Sequence, residues 1–328
     1  MLTTQTPPPT VGSPTLWLIS IVVIALLLLL DFAITRRPHE VGMREAVAWS
    51  VFYIALPVAF GVWVWQAHGA DRGVEYYTGY LVEKSLSVDN LFVFLVLLSS
   101  FAVPRELRQR VLLIGVAGAL VLRGIFIALG AQLIERFAWT FLLFGVVLLA
   151  TGVKVLRDSL AHEDAVDIGT LRSVRLVRRF WPVTDAYAGT ALTVRRGDTR
   201  ALTPLALVIV AILGTDLVFA VDSVPAVYGI TEDAFLVFAT NAFALLGLRA
   251  LYFVLEGVLG RLAHLGFGLS AILVFIGVKL VLHWAHGIWS WVPEIPTLLS
   301  LVVIVGVLTV VTVTSVLSTR TAPTDARA

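Results

Sequence analysis

The sequence predicts an all-α, polytopic membrane protein of about nine transmembrane helices, six of which form an inverted three-helix repeat. The first observation is composition: 59% of the 328 residues are hydrophobic and 14% are charged, whereas about a quarter of a soluble globular protein is charged. The second is that apolar runs long enough to be membrane helices recur along the chain. The third is that two acidic motifs, similar to each other, lie inside such runs.

The apolar runs place the predicted transmembrane helices in order. The first run has no basic residues before it and is followed by Arg36 and Arg37, which indicates an uncleaved anchor with the N-terminus outside. Residues 1–14 and 318–328 are predicted to be an extracytoplasmic disordered tail and a cytoplasmic tail, and residues 15–66 hold two N-terminal helices. The predicted spans are 15–34, 46–66, 75–100, 110–134, 138–156, 202–227, 233–256, 263–283 and 296–317.

Basic residues are concentrated in alternate loops. Of the 24 Lys and Arg, 5 lie within the spans, 17 in one alternate set of loops and 2, Arg72 and Arg136, in the other. Loops rich in Lys and Arg stay in the cytoplasm. The pattern therefore predicts a multi-pass protein of the inner or plasma membrane, with the N-terminus outside and the C-terminus cytoplasmic. A miscounted span would disrupt the alternation, so the charges also support nine spans.

The loop of residues 157–201 is the one sizeable segment outside the predicted spans. Its 171–181 stretch mixes basic and apolar residues at helical spacing. Such a stretch is typical of a helix that lies on the anionic cytoplasmic leaflet. The alternative is that the 157–200 loop docks a cytoplasmic protein partner. Nucleic-acid binding is not expected of so short a basic stripe beside a membrane.

Two acidic motifs mark the beginnings of two related segments. Each motif holds two acids six residues apart, and each is followed by an arginine and later by Gly-Val-Lys. From Arg to Lys is 31 residues in the first copy (154−123) and 30 in the second (279−249). The copies are residues 75–156 and 202–283. The motifs are Glu83-Lys-Ser-Leu-Ser-Val-Asp89-Asn90 and Asp216-Leu-Val-Phe-Ala-Val-Asp222-Ser223.

The two copies are predicted to lie in opposite orientations. Each contains three spans, an odd number, so the second copy enters the membrane from the other side, as the charge pattern independently indicates. Inverted repeats around a site near the bilayer midplane are a recurring transporter architecture. Duplication of a mere membrane scaffold is the alternative, but it does not explain why both copies keep two acids where burial is costly.

The intramembrane polar residues favour a site for a hard cation. Carboxylate and amide oxygens suit Mn²⁺, Ca²⁺ and Mg²⁺, and no cysteine is available for thiolate ligation. Asn241 serves either as a ligand or as a bridge between helices. The candidate metal ligands are Glu83, Asp89, Asn90, Asp216, Asp222, Ser223 and Asn241, and the candidate charge-balancing residues are Arg123, Lys154, Arg249 and Lys279.

The geometry of the acidic motifs predicts irregular helices. Six residues of a regular helix turn about 600°, which leaves the two carboxylates of a motif about 120° apart. Pro225 follows Asp222 closely and removes a backbone donor, so we expect a local break in one or both helices. Asp31 ends the first span and is expected only to mark the interface. His264, His283 and His286 are likewise expected at interfaces, and the alternative for them is a role in ion entry or exit.

The motifs resemble the signature runs of the TerC family of integral membrane proteins. Besides the two acidic runs, the segment Thr240-Asn241-Ala-Phe-Ala-Leu-Leu-Gly-Leu-Arg249-Ala-Leu-Tyr252-Phe and the Gly277-Val-Lys279 end of the eighth span carry the resemblance. It covers roughly residues 15–318. It implies Mn²⁺ efflux, with Glu83, Asp89, Asp216 and Asp222 at the metal positions, and a relation to tellurium resistance and to lysine-exporter-like transporters.

Two functions follow as hypotheses. The first is a secondary transporter that exports Mn²⁺ or another hard divalent cation such as Ca²⁺, driven by a proton gradient or the membrane potential, because no nucleotide-binding loop is present. The second is a membrane anchor of a tellurite- or stress-resistance complex that acts through its cytoplasmic loop. An enzyme is not expected, since no nucleophile–base set is evident, and no cofactor is expected.

Overall fold

The fold is an all-α bundle with one small hairpin. The computed structural model describes residues 10–34, 41–161, 174–175, 179, 181–184, 186–196, 199–256 and 265–321. The helices among them are α1 (Pro14–Ile34), α2 (Met43–His68), α3 (Ala70–Ser100), α4 (Arg105–Arg136), α5 (Thr140–Ala161), α6 (Pro204–Tyr228), α7 (Ala234–Leu246), α8 (Leu248–Glu256), α9 (Leu265–His286) and α10 (Thr297–Thr321). The hairpin pairs β1 (Thr193–Arg196) with β2 (Thr199–Leu202) in antiparallel register.

The predicted polytopic all-α architecture is confirmed. Eight segments of the described chain are long and apolar enough to cross a membrane, with α7 and most of α8 forming one of them. Helix α3 is not among the eight, because Glu83, Lys84 and other charged residues interrupt its apolar sequence. It is nevertheless 31 residues long and packs against helices α2, α6, α7, α9 and α10, so its length and packing fit the ninth span that the sequence predicts.

The expected breaks at the acidic motifs are wrong. Both α3 and α6 run without interruption through their motifs. Pro225 lies in the last turn of α6, where the loss of one backbone donor no longer breaks the helix. The seventh span is interrupted instead, at Gly247, between α7 and α8.

The interruption at Gly247 accommodates two neighbouring helices. A Cβ at this position would lie 3.1 Å from Lys84 Nζ of α3 and 3.1 Å from Tyr53 Cβ of α2. Lys84 Nζ lies 3.5 Å from the carbonyl oxygen of Ala244, near the C-terminal end of α7, where the helix dipole favours a cation. Glycine thus lets α2 and α3 approach the span at the point where α7 gives way to α8.

Helices of the two predicted repeats pack against each other in reciprocal pairs. Helix α4 packs beside α6 in parallel, since Gly115 meets Ile212 near the beginning of both helices and Tyr228 Oη donates to the Ile127 carbonyl near their ends. Helix α3 packs likewise along α7, and α5 packs antiparallel along α9. At the α5–α9 contact, the Cβ position of Gly277 is 3.0 Å from the Gly145 carbonyl oxygen.

The described part of the 157–201 loop packs on the ends of the core helices. Val174 is buried in the apolar cluster built by α3, α4 and α6, and Tyr187 Oη donates to the Phe101 carbonyl at 2.7 Å. The 193–202 hairpin, which the sequence pattern did not reveal, leads directly into α6, whose N-cap is Thr203. Most of the predicted 171–181 helix and the residue His264 lie outside the described residues.

Candidate cation site

The guanidinium of Arg123 is the centre of a buried charge cluster. Arg123 projects from α4 and is fully buried. It forms ion pairs with Glu83 of α3 and, through Nη2, with Asp216 Oδ1 of α6 at 3.2 Å. Its Nη1 also donates to Asn241 Oδ1 of α7 at 3.1 Å. One arginine therefore joins four helices, which include helices from both predicted repeats.

Helix α3 presents a stripe of three polar side chains to the cluster. Glu83, Ser87 and Asn90 are four and three residues apart and are all buried, so they lie on one helix face. With its amide oriented to satisfy both neighbours, Asn90 accepts from Arg123 Nη2 at 3.0 Å and donates to the Leu86 carbonyl at 3.1 Å. The regular helix that the sequence argument rejected is therefore what aligns these residues.

Helices α6 and α7 complete the cluster. Asp216 and Ser223 are seven residues apart, which places them on one face of α6, and both are buried. Asn241 Nδ2 donates to the Val237 carbonyl of its own helix at 3.0 Å. That bond directs the amide oxygen of Asn241 toward Arg123, so this residue both bridges helices and offers an oxygen to the cluster.

Several buried oxygens of this region lack a hydrogen-bond partner among the described residues. They are Glu83 Oε2, Ser87 Oγ, Asp216 Oδ2 and Ser223 Oγ. An unpaired polar group buried in a membrane is costly. Carboxylate and hydroxyl oxygens are the ligands that hard divalent cations prefer, so the donor set has the chemistry that such an ion needs.

The cluster as it stands is arranged around an arginine. Among the described side chains, no three His, Cys, Asp or Glu are placed to hold a metal ion together. Arg123 lies between Glu83 and Asp216 and neutralises them. Asp222 is half-buried on α6, and the side chain of Asp89 lies outside the described part. The predicted ligand set therefore stays a prediction.

The second intramembrane arginine has a different partner. Arg249 of α8 donates through Nε to Asp31 Oδ2 at 3.1 Å and through Nη2 to Asp31 Oδ1 at 2.6 Å. Asp31, near the end of α1, is 2% exposed. The expectation that Asp31 only marks the interface is therefore wrong, because the approach of α8 to α1 buries it in an ion pair that the local sequence did not reveal.

The two lysines proposed as charge-balancing residues lie away from Arg123. Lys154 is exposed on α5, and Lys279 is half-buried on α9. Lys279 interacts electrostatically with Glu75, near the beginning of α3, and with Glu294, between α9 and α10. Sequence reasoning missed Lys84 as a functional candidate, although its place next to Glu83 was the available signal.

The histidine at the end of α9 bridges two loops. His283 Nε2 lies 3.3 Å from Glu232 Oε1, and its Nδ1 lies 3.0 Å from Glu294 Oε1. Hydrogen bonding to His283 holds the pKa of Glu232 below its ordinary value. The imidazole is 40% exposed, as expected of an interface residue. This bridge is separate from the Arg123 cluster.

The fold and the cluster define a polytopic membrane protein with carboxylates, amides and an arginine buried across its helices. The chain belongs to the family described as "Integral membrane protein TerC family", whose sequence model matches residues 68–322. This finding confirms the resemblance drawn from the acidic motifs. Helix α1 and all but the end of α2 precede the matched region.

Curated relatives cover most of this chain. It is 46% identical over 277 residues, 84% of this chain and 70% of the relative, to "Uncharacterized membrane protein Rv2723" of Mycobacterium tuberculosis. It is 44% identical over 283 residues, 83% of this chain and 87% of the relative, to "Putative membrane-bound redox modulator Alx" of Escherichia coli K12. No solved structure gives a significant match.

Proposed function

We propose that this protein transports a hard divalent cation, Mn²⁺ first among them, out of the cytoplasm. The observation that carries the proposal is the set of buried oxygens on α3 and α6 that have no partner among the described residues, two of which belong to Glu83 and Asp216, the ion-pair partners of Arg123. Ionisable groups inside a membrane are costly and mark ion pathways by default. A cation that reaches these oxygens satisfies groups that the described part of the protein leaves without a hydrogen-bond partner.

Exchange between arginine and metal gives the site a working cycle. With the site empty, Arg123 neutralises Glu83 and Asp216. A divalent cation carries the charge that both carboxylates need, so its arrival competes with the guanidinium for them. Protons compete for the same carboxylates, because metal ligands must be deprotonated. The result is either proton antiport or movement driven by the membrane potential.

The packing supports a site shared by two inverted repeats. A twofold axis in the membrane plane would relate the contact between α3 and α7 to the contact between α6 and α4. It would also relate α5 to α9 and place these two helices antiparallel. These are among the main packing pairs of the six helices. The inverted repeat stays a prediction, and it would explain why Arg123 of one repeat contacts Asp216 and Asn241 of the other.

The choice of Mn²⁺ rests on the family resemblance. The donor atoms themselves specify only a hard cation, because carboxylate, amide and hydroxyl oxygens also suit Ca²⁺ and Mg²⁺. Efflux from the cytoplasm likewise rests on the resemblance, whereas the proposed orientation in the inner or plasma membrane rests on the distribution of Lys and Arg.

A non-transport anchor is the second candidate. The observation in its favour is that the described part of the 157–201 loop is held to the core by Val174 and Tyr187, which would fix a docking surface at the membrane. The name of the Escherichia coli relative suggests redox modulation. This chain has no cysteine, so any such influence would have to act without thiols of its own.

Cation flux into liposomes tests the first candidate. Purified protein is reconstituted with a Mn²⁺-quenched dye inside, and wild type is compared with Asp216→Asn and Asp222→Asn. Glu256→Gln, which alters an exposed acid on α8, is the control. We expect flux in wild type and control, and its loss in both Asp variants. Absence of wild-type flux under both a pH gradient and a potential would favour the anchor.

A further inference from the structure

The pair Arg249–Asp31 belongs to no site described so far. Both side chains are nearly fully buried, with 4% and 3% exposed, and the two carboxylate oxygens receive two guanidinium nitrogens at 3.1 and 2.6 Å. A buried pair of this kind gives little net stability over an apolar replacement, because burying the charges is costly. Its presence between α1 and α8 therefore suggests a role other than stability.

The predicted repeat indicates that role. Arg249 occupies in the second repeat the place that Arg123 occupies in the first. By the symmetry, Arg249 would contact Asp216 and Glu83, as Arg123 does. It contacts instead an acid of α1, a helix outside both repeats. One arginine is thus engaged with the carboxylate cluster while its counterpart is held elsewhere.

Arg249 is close enough to influence the cluster electrostatically. It lies eight residues beyond Asn241, on the other side of the interruption at Gly247, and eight residues of a continuous helix would span about 12 Å. Lys84, next in sequence to Glu83, approaches the chain at Gly247, two residues before Arg249. The intervening medium is buried protein, where salt screens charges far less than in water.

We infer that Asp31 is a positioning residue for the cation site: by pairing with Arg249 it neutralises that arginine and keeps it away from the carboxylates of α3 and α6. The inference rests on the proposed cation transport. It gives α1, which precedes the region matched by the family, a part in ion binding. Without the Asp31 charge, Arg249 becomes an uncompensated buried cation that repels the metal ion and competes for Glu83 and Asp216.

Mn²⁺ affinity of the full-length protein in lipid nanodiscs tests this inference. Calorimetric titration with Mn²⁺ compares wild type, Asp31→Asn, Arg249→Gln and the double variant. We expect Asp31→Asn to weaken affinity by about tenfold or more, since a unit charge acts on a divalent ion through a low-dielectric interior. Arg249→Gln is expected to bind at least as tightly as wild type, and the double variant like Arg249→Gln.

The asymmetry separates positioning from a structural role. A purely structural ion pair would make Asp31→Asn and Arg249→Gln equivalent, whereas positioning makes them opposite in affinity. The matched control is Glu256→Gln. Glu256 lies on the same short helix as Arg249, and its substitution breaks an ion pair with Arg108 of α4 at the surface. This variant is expected to leave Mn²⁺ affinity unchanged. Asp31→Glu, which keeps the charge, is expected to retain wild-type affinity.

Each outcome decides one question. Unchanged affinity in Asp31→Asn, or a double variant as weak as Asp31→Asn, overturns the inference and leaves the proposed transport intact. Absence of Mn²⁺ binding by wild type overturns the proposed function and this inference with it. If Asp31→Asn does not fold, Arg249→Gln decides, because a tenfold loss of affinity in that variant contradicts the inference.

Discussion

Arg123 and Arg249 occupy equivalent places in the two predicted repeats but have different surroundings. Arg123 contacts carboxylate and amide oxygens from α3, α6 and α7, whereas the described partner of Arg249 is one carboxylate on α1. Identical residues in related segments therefore carry different charge environments. The predicted symmetry therefore does not extend to the partners of the two arginines.

The largest effect is expected from removing the charge of Arg123. Arg123→Gln leaves Glu83 and Asp216 buried without their counter-charge, and breaking a buried ion pair by removing one partner costs about 3–5 kcal/mol. We expect a strong fall in thermal stability near neutral pH. Mn²⁺ should restore part of it, because a bound ion stabilises the folded state. Thermal unfolding with and without Mn²⁺ measures both effects.

Arg249→Gln is the matched comparison for that experiment. It leaves only one buried carboxylate, Asp31, without its arginine, whereas Arg123→Gln leaves two. A smaller loss of stability is therefore expected. Mn²⁺ should stabilise Arg123→Gln by more than it stabilises Arg249→Gln or wild type. Equal responses of the two variants to Mn²⁺ would mean that the arginines are equivalent, and the comparison would fail.

The spans were predictable because their cause is local. Each predicted span overlaps a helix that the structure describes, and for eight of them length and apolar composition alone mark a segment that can cross a bilayer. The predicted repeat suggested that acids and arginines of both halves share one site. In the structure, Glu83, Arg123 and Asp216 contact one another through the arginine. The local sequence and the repeat together were thus sufficient for the architecture and for most of the cluster.

The partner of Arg249 could not be predicted in the same way. Asp31 is 218 residues away in sequence and belongs to a helix outside the repeat, so neither local pattern nor symmetry pointed to it. The helix break was assigned to Pro225 by its known effect on hydrogen bonding, but it occurs at Gly247. Lys84 and Tyr53 closely approach the Cβ position of Gly247, and the local sequence does not reveal this tertiary contact.

A contact between the repeats gives an intermediate effect. Gly277→Ala places a methyl group 3.0 Å from the Gly145 carbonyl oxygen and 3.1 Å from the Leu149 amide nitrogen, and backbone cannot yield easily. Overpacking of this kind costs about 1–3 kcal/mol. Unfolding in detergent or lipid measures the loss. The size of the loss would show how much the α5–α9 contact contributes to holding the two predicted repeats together.

Gly124→Ala is the control for that contact. Gly124 follows Arg123 directly on α4, and nothing lies within 4 Å of its Cβ position. Replacing a helix-interior glycine by alanine in open space is neutral or stabilising by up to about 1 kcal/mol. A loss as large as that of Gly277→Ala would show that the α5–α9 contact has no special weight.

The smallest loss of stability is expected from breaking the ion pair between Glu232 and His283. This pair is exposed, whereas the Arg123 cluster is buried. Hydrogen bonding to His283 lowers the pKa of Glu232 from 4.5. A carboxyl with a lowered folded-state pKa stabilises the protein above its unfolded pKa, and the stabilisation is lost as pH falls through the lowered value. Because the side chain of Glu232 is 58% exposed, solvent screening keeps this contribution small.

Thermal unfolding of wild type and Glu232→Gln from about pH 7 to about pH 3 measures that contribution. Wild type should be slightly more stable above about pH 5, and the two curves should converge as Glu232 becomes protonated. Glu135→Gln, at an exposed position near the end of α4, is the control. A loss of stability in Glu232→Gln comparable to that in Arg123→Gln would contradict this comparison. It would mean that an exposed ion pair contributes as much to stability as a buried one.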